Sequence, residues 1–483
     1  MVKSMRYLFL LFFIAVSGVA FAQSQSGALS GKVLDETKQP VIGAIVEVSQ
    51  AGIVRGGAAT DEDGRYTIKP LSPGTDYQVS VKYTGYQEIR LTNVQVTGDR
   101  TTYQNFDLKV NAKEIAEVVV IEYKKPLIKI DEPGTTTTFT GDEIAKMATI
   151  NTNDVAALSG GTYQQKSGAG VSIGGGRPNG TLYIIDGIQV TANDITNLPP
   201  GSIDQMSVIT SGLPANYGDA LGGVISITTR GASPVHRGDI RLERSVDGYN
   251  HNLASFNLTG PLLRKRTDSL GNKRPVLGYA INGQYSYDGD DNPNYFENYV
   301  VKQSVLDEIR QRPFIATTSS TGAPELRYAT ENITMNDLET SKRRINAENQ
   351  TARVGGRLDF QVSENANVSA GGNFTYIDNR AYSKYYSLFS PEAIASNKRS
   401  VARGFLRYTQ KLGSSRPVTG DEANKSVISN AYYSVQADYQ RDYAETQDEN
   451  HKKNPFYYSY IGKFGVNYVP AYAFGTDSLS GLQ

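Results

Sequence analysis

Thr351-Ala352-Arg353-Val354-Gly355-Gly356-Arg357-Leu358-Asp359-Phe360-Gln361-Val362-Ser363 is the stretch on which the reading of the fold turns. Ala352, Val354, Gly356, Leu358, Phe360 and Val362 share one side, and Arg353, Arg357, Asp359, Gln361 and Ser363 share the other. Side chains of an extended strand point to opposite faces in turn, so this period predicts a strand. A soluble sheet would cover the apolar face with a second layer; a transmembrane barrel turns it to lipid and the charged face to a wet interior. Residues 367–377 and 430–440 repeat the scheme. Each stretch can cross a bilayer, which takes about 9–11 tilted residues.

Working outward, residues 240–246, 252–258, 277–287, 400–410 and 458–468 extend the pattern to about eight strands. If the first leaves the periplasmic side, parity places 288–350, 378–399 and 441–457 outside and makes 363–366 a short inner turn. The stretches 260–275 and 411–429 read as longer turns.

Composition agrees with strands. Across 483 residues there are 47 Gly, 31 Tyr against 16 Phe, and no Trp, a profile that fits extended strands better than helical bundles. At about 150 residues per domain the length predicts about three units. Lys+Arg and Asp+Glu are both 49, so no net field draws nucleic acid. The absence of Cys excludes disulfides, thiolate catalysis, Cys zinc sites and an N-terminal lipoprotein anchor. His236, His251 and His451 are the histidines, at separations that suit no metal spacing, and no His-x-x-Glu pair occurs. Neither a metal, a cofactor nor a catalytic residue is expected.

Lys3 and Arg6 precede an apolar run at 7–19 and the small-x-small step Ala20-Phe21-Ala22. This is the form of a cleaved secretory signal, residues 1–22. No later stretch approaches the roughly 18 apolar residues of a spanning helix.

Residues 23–110 read as a β-sandwich, with strands at 28–34, 45–49, 65–68, 77–83 and 106–110. Asp61-Glu62-Asp63-Gly64 lacks the further oxygen ligands of a calcium loop and reads as an Asx-stabilised hairpin turn. Gly31, Val33, Asp35, Pro40, Gly43-Ala44, Thr60-Asp61, Asp63-Gly64, Tyr66, Pro73-Gly74, Tyr77 and Gly85-Tyr86 together make this part resemble the carboxypeptidase regulatory-like domain. In that family the domain is an accessory sandwich and not a catalytic unit.

A linker follows at 111–132, containing Glu117, Val118, Val119, Val120 and Ile121 ahead of Lys124-Lys125-Pro126. A β-branched run with free main-chain groups can add itself to a sheet edge on another protein. It can equally be the last strand of the sandwich or the first of the next domain, and the residues alone leave this open.

Residues 133–232 alternate short apolar strands with glycine-rich turns. Gly174-Gly175-Gly176-Arg177-Pro178-Asn179-Gly180 has turn chemistry, without the Gly-Lys-Ser/Thr ending or complete G-x-G-x-x-G of a phosphate cradle. Asp186 precedes Gly187 between two apolar runs and reads as a turn residue, with no second carboxylate or His near it in sequence. The phrase from Arg177 through Gly180 to Asp186-Gly187, with the phrase Gly212, Tyr217-Gly218, Gly222-Gly223, resembles the plug domain of TonB-dependent outer-membrane transporters of the Bacteroidota type.

The resemblance implies a mainly β protein with an N-terminal β-sandwich, an α/β plug domain and the start of a transmembrane antiparallel β-barrel at 233–483. It implies that Glu117, Val118, Val119, Val120 and Ile121 form the TonB box. Energised import of a scarce or bulky ligand follows, without enzymatic activity. The implied partners are the TonB energy-coupling complex, outer-membrane lipid and a surface lipoprotein, with the sandwich in the periplasm. A barrel around a plug needs about 22 strands, so this chain is expected to be the N-terminal portion of a transporter. Two other readings compete: a barrel for secretion or adhesion without TonB coupling, and a soluble secreted all-β binding protein. Uptake that depends on the proton gradient separates the first from the transporter, and extraction without detergent would mark the second. The substrate is not written in the sequence.

Overall fold

The computed structural model describes residues 26–50, 52–98, 100–110, 118–123, 134–147, 149, 151–192, 198–214, 217–218, 220–233, 235–266, 273–363, 365–380, 382–389, 391–412, 431–448 and 452–454. The signal peptide, Glu117 and the strand expected at 458–468 lie outside them.

The N-terminal domain is built from β1 (Gly27–Leu34), β2 (Ile45–Gln50), β3 (Ile53–Ala59), β4 (Arg65–Leu71), β5 (Gly74–Lys82), β6 (Glu88–Val96), β7 (Thr101–Tyr103), β8 (Phe106–Asp107) and β9 (Val118–Glu122). One sheet runs β4-β1-β7 with β8 also on β1, and the other β3-β2-β5-β6-β9. Alternate side chains of the two sheets, among them Leu29, Val33, Tyr66 and Ile68 with Val46, Val48, Val79 and Val81, form one buried core. Each such side chain contributes about 1.5–3 kcal/mol by leaving water. The residues of the family pattern do structural work. The Asp61 carboxylate accepts the N–H groups of Asp63 (3.1 Å) and Arg65 (2.7 Å), an Asx turn. A Cβ on Gly31 would lie 1.8 Å from the Gln104 carbonyl oxygen, so only glycine allows that approach. The Thr60 hydroxyl accepts from Ala44 N–H (2.8 Å) and donates to the Val41 carbonyl (2.5 Å).

Three strands, β3, β6 and β7, were not expected. In β6 the cause is a bulge. Asn93 has φ 60°, and Leu91 and Val94 both enter the core, which breaks the period of two. In β3 the Gly56-Gly57 pair removes the apolar signal.

The middle domain contains β10 (Thr136–Thr140), α1 (Gly141–Ala145), α2 (Thr152–Ala156), β11 (Thr162–Gln164), β12 (Val171–Ile173), β13 (Thr181–Ile185), β14 (Ile188–Val190), β15 (Ile203–Ile209) and β16 (Gly223–Thr229). Its main sheet has the order β10-β15-β16-β13-β14. The β13–β16 pair is parallel and the other pairs are antiparallel. Thr140 and Glu143 cap α1 reciprocally, the sequence pattern of a capping box. All five residues of β13 are buried, because Tyr183 and Ile185 join one apolar cluster and Leu182 and Ile184 another on the opposite face.

The C-terminal part contains β17 (Arg237–Arg244), β18 (His251–Arg266), β19 (Lys273–Asp288), β20 (Asn298–Val301), α3 (Gln303–Gln311), β21 (Phe314–Thr318), β22 (Pro324–Tyr328), β23 (Leu338–Ser341), β24 (Asn349–Gln361), β25 (Ala366–Arg380), β26 (Ser396–Leu412) and β27 (Ala431–Gln447). Seven of these form one sheet, β17-β18-β19-β24-β25-β26-β27, in chain order. The sheet is inside out. Val354, Leu358 and Phe360 of β24, Phe374 of β25 and Val435 of β27 are exposed, while Asn257, Gln284, Ser286, Ser369, Thr375 and Arg403 are buried. Burial of polar groups under an exposed apolar surface costs free energy in water and gains it in lipid. The turn expected at 260–275 is shorter than read, because β18 runs to Arg266 and β19 starts at Lys273. Pro261 lies beside a register shift there, and Pro275 is paired within the extended hairpin.

The chain divides into two compact units. The first holds the sandwich, the middle domain and most of the seven-stranded sheet. Among the described residues, the second gathers those within 294–347, 379–397 and 445–454. Read as open connections, the first of these segments instead holds α3, the antiparallel pair β20–β23 and the hairpin β21–β22, with Val301, Leu306 and Ala329 buried. Tyr295, Phe296, Phe314, Tyr328 and Tyr385 remain exposed.

Candidate functional site

The two glycine-rich phrases meet in space. The Gly180 carbonyl accepts the N–H groups of Leu221 (3.1 Å) and Gly222 (3.0 Å), and Thr181 then pairs with Gly223 as β13 and β16 begin. A Cβ on Gly223 would lie 2.6 Å from both the Ile209 carbonyl oxygen and Ile173 Cγ2. At the other end of β13, Asp186 and Gly187 both have positive φ, 51° and 85°, and form the two-residue turn to β14. The buried Asp186 carboxylate accepts the Thr229 N–H (2.9 Å) and hydroxyl (2.6 Å), while its own N–H donates to the Ile227 carbonyl (2.9 Å). The parallel pair is therefore braced at both ends.

Gly212 turns the chain after β15 with φ 63°. Tyr217 is buried with Leu182, Ile184 and Val224. Arg177 is exposed and flanks the turn Pro178–Gly180. A Cβ on Gly218 would meet nothing, so the structure gives no steric reason for glycine there.

This brace is tied to the seven-stranded sheet. The Arg407 guanidinium of β26 donates to the Asp186 carbonyl and to Gln436 Oε1 (2.7 Å). Asp359 of β24 accepts the Ala232 N–H (3.1 Å), where the chain leaves the middle domain, and also accepts from Arg357 Nε (3.0 Å) and the Ser369 hydroxyl (2.6 Å). The Thr259 hydroxyl accepts the Ser233 N–H (2.8 Å). Sequence reading put Arg357 and Asp359 on the polar face without a role and passed over Arg403 and Arg407. The available signal was parity, since arginines four apart on a strand share a face.

A cavity of about 340 Å³ lies within the first unit, lined by Arg55, Asp76, Asp204, Arg230, Arg357 and Lys411 among others. Asp204 lines this cavity, and burial by the surrounding protein pushes its carboxyl up to about 6, against the pull of Arg230 and Arg357. The folded protein thus holds this proton more tightly than the unfolded chain does. Asp204's own contribution to stability is fully present below about pH 4 and is lost as pH rises to about 6. Asp204→Asn is expected to remove that loss, melting above the parent at pH 7 and level with it below pH 4 in thermal scans. An unchanged pH profile would show that Asp204 is not the group responsible.

Of Glu117 to Ile121, the segment read for strand addition, Val118 to Ile121 lie in β9, which pairs in parallel with β6. Val119 is half-buried; Val120 and Ile121 are exposed.

Residues 28–109 match the carboxypeptidase regulatory-like domain, and residues 128–224 match the TonB-dependent receptor plug domain. TonB-dependent receptor P39 of Formosa agariphila is 31% identical over 234 residues, covering 44% of this chain and 20% of that protein. TonB-dependent transporter Oar of Myxococcus xanthus is 28% identical over 239 residues, covering 46% and 22%. The match spans about a fifth of the length of these curated relatives. Among solved structures, the siderophore receptor PirA of Pseudomonas aeruginosa is 16% identical with a TM-score of 0.40, over 65% of this chain and 41% of that one. The ferric enterobactin receptor of the same organism is 17% identical with a TM-score of 0.37, over 58% and 40%. These structural likenesses are loose. The Asp186 brace thus fixes the sheet of the domain that matches the plug, and Arg407 and Asp359 tie that domain to the seven-stranded sheet.

Proposed function

We propose that this chain is the N-terminal portion of a Bacteroidota-type TonB-dependent outer-membrane transporter that imports a scarce or bulky ligand. The observation that carries this is the plug sheet held by Arg407 and Asp359 against the polar face of strands whose other face is apolar and exposed. A closed lumen that must admit a ligand needs its plug moved, and polar ties of this kind can be broken and remade where an apolar core could not. Glu117, Val118, Val119, Val120 and Ile121 are the box through which the TonB complex acts, with the sandwich on the periplasmic side. Outer-membrane lipid covers Val354, Leu358 and Phe374. The exposed aromatics Tyr295, Phe296, Phe314 and Tyr328 suit ligand or surface-lipoprotein contact, since aromatic faces bury large areas at small entropic cost. Import changes no covalent bond in the cargo, and no enzymatic role is proposed.

The experiment is uptake of the ligand that co-purifies with the full-length protein. Uptake is expected to stop when the proton gradient is dissipated while surface binding persists. Uptake that continues would favour passage without TonB.

A further inference from the structure

The candidate box does not hang free. Val118 to Ile121 lie in β9, the fifth strand of a sandwich sheet, in register from Glu88 beside Val118 to Thr92 beside Glu122. The docking continues past the strand, where Tyr123 N–H donates to the Thr92 carbonyl (3.0 Å) and the partly buried Tyr123 packs on the sandwich core. Thr92 Oγ1 donates to the Ile121 carbonyl (3.3 Å), and Asn93 Nδ2 to Glu122 Oε1 (3.2 Å). Within β9, Val119 is half-buried, while Val120 is 62% and Ile121 44% exposed. Main-chain bonds and Tyr123 hold the strand, with little apolar burial at Val120 and Ile121.

A partner that captures this segment by strand addition needs the same row of main-chain groups. Force must also reach the plug through residues 124–133. A strand still zipped to β6 would pass the pull to the sandwich instead. We propose that the β6 edge is an internal competitor that stores the box as β9 and yields it by strand exchange to an edge strand of the energy-coupling protein. This rests on the reading of Glu117 to Ile121 as the box. Only the undocked fraction binds, so the apparent dissociation constant equals the intrinsic one divided by that fraction.

The test uses the full-length protein in detergent and the purified periplasmic domain of TonB from the same organism. Arg90 and Val120 are register partners on the sheet face opposite the buried Ile89 and Leu91, and the chain has no Cys to interfere. In the R90C/V120C variant, the oxidised form is expected to bind TonB at least tenfold more weakly than the same protein after reduction. Tyr123→Ala, which loosens docking, is expected to bind more tightly than the parent. Equal binding by oxidised and reduced forms, or weaker binding by Tyr123→Ala, would overturn the competitor role. Loss of the box reading is a separate outcome: Val119→Pro without the cysteines would then bind TonB as well as Val119→Ala does.

Discussion

Replacing Val119 with proline in the complete transporter is expected to abolish energised uptake while ligand binding at the outer surface stays unchanged. Strand addition draws its energy from main-chain hydrogen bonds, which most side-chain changes leave intact. Proline removes the N–H and restricts the backbone at that position. Val119→Ala keeps the donor and trims only a half-buried side chain, so its effect on uptake is expected to be small. Uptake of bound ligand, measured beside equilibrium binding for both variants, checks this. If both variants transport, the segment is a structural strand and the coupling site lies elsewhere.

Most of the strand architecture is legible because a sheet with one polar and one apolar face imposes a period of two. Residues 351–363 and 367–377 appear as β24 and β25 within a few residues, since each position must choose between Val354-like and Arg357-like company. Legibility fails where that constraint is relaxed. The bulge at Asn93 hid β6 by shifting its parity. The turn read at 260–275 is largely an extended hairpin, in which a register shift beside Pro261 absorbs the irregularity. The two strand pairs and α3 within 294–347 belong to a separate small unit whose few buried residues, such as Leu306, leave a weak pattern.

The candidate site was legible as a list but not as an arrangement. Gly180, Asp186, Gly222 and Gly223 stand out as turn residues, yet nothing in their spacing says that Gly180 meets Gly222 or that Asp186 meets Thr229. Those are contacts across a parallel pair, made over 42 to 43 positions. Arg407 lies 221 positions from the carbonyl it holds. The pairing of β9 with β6 could not be chosen from residues alone, since the same β-branched run serves an internal or an external sheet edge equally well.

Asp359→Ala is expected to give the second large effect. It leaves Arg357 without its 3.0 Å partner and the Ala232 N–H without an acceptor, at the point where the plug joins the sheet. Breaking a buried ion pair on one side costs about 3–5 kcal/mol, and the lower end applies because Asp359 keeps 20% of its side-chain exposure. In the full-length protein the plug should melt earlier in detergent, and cells should become sensitive to bulky hydrophilic antibiotics that an intact plug excludes. Adding Arg357→Met should recover part of the loss, since no unpaired charge then remains. An Asp359→Ala protein with parental melting and permeability would show that the tie does not hold the plug.

The central physical claim is that Val354, Leu358, Phe360, Phe374 and Val435 face lipid, and fractionation of cells expressing the full-length gene product tests it most directly. The protein is expected entirely in the outer-membrane fraction, retained through high-salt and carbonate washes and released only by detergent. Recovery from the soluble periplasm would mean that a second protein layer covers that face, and the transporter account would be wrong.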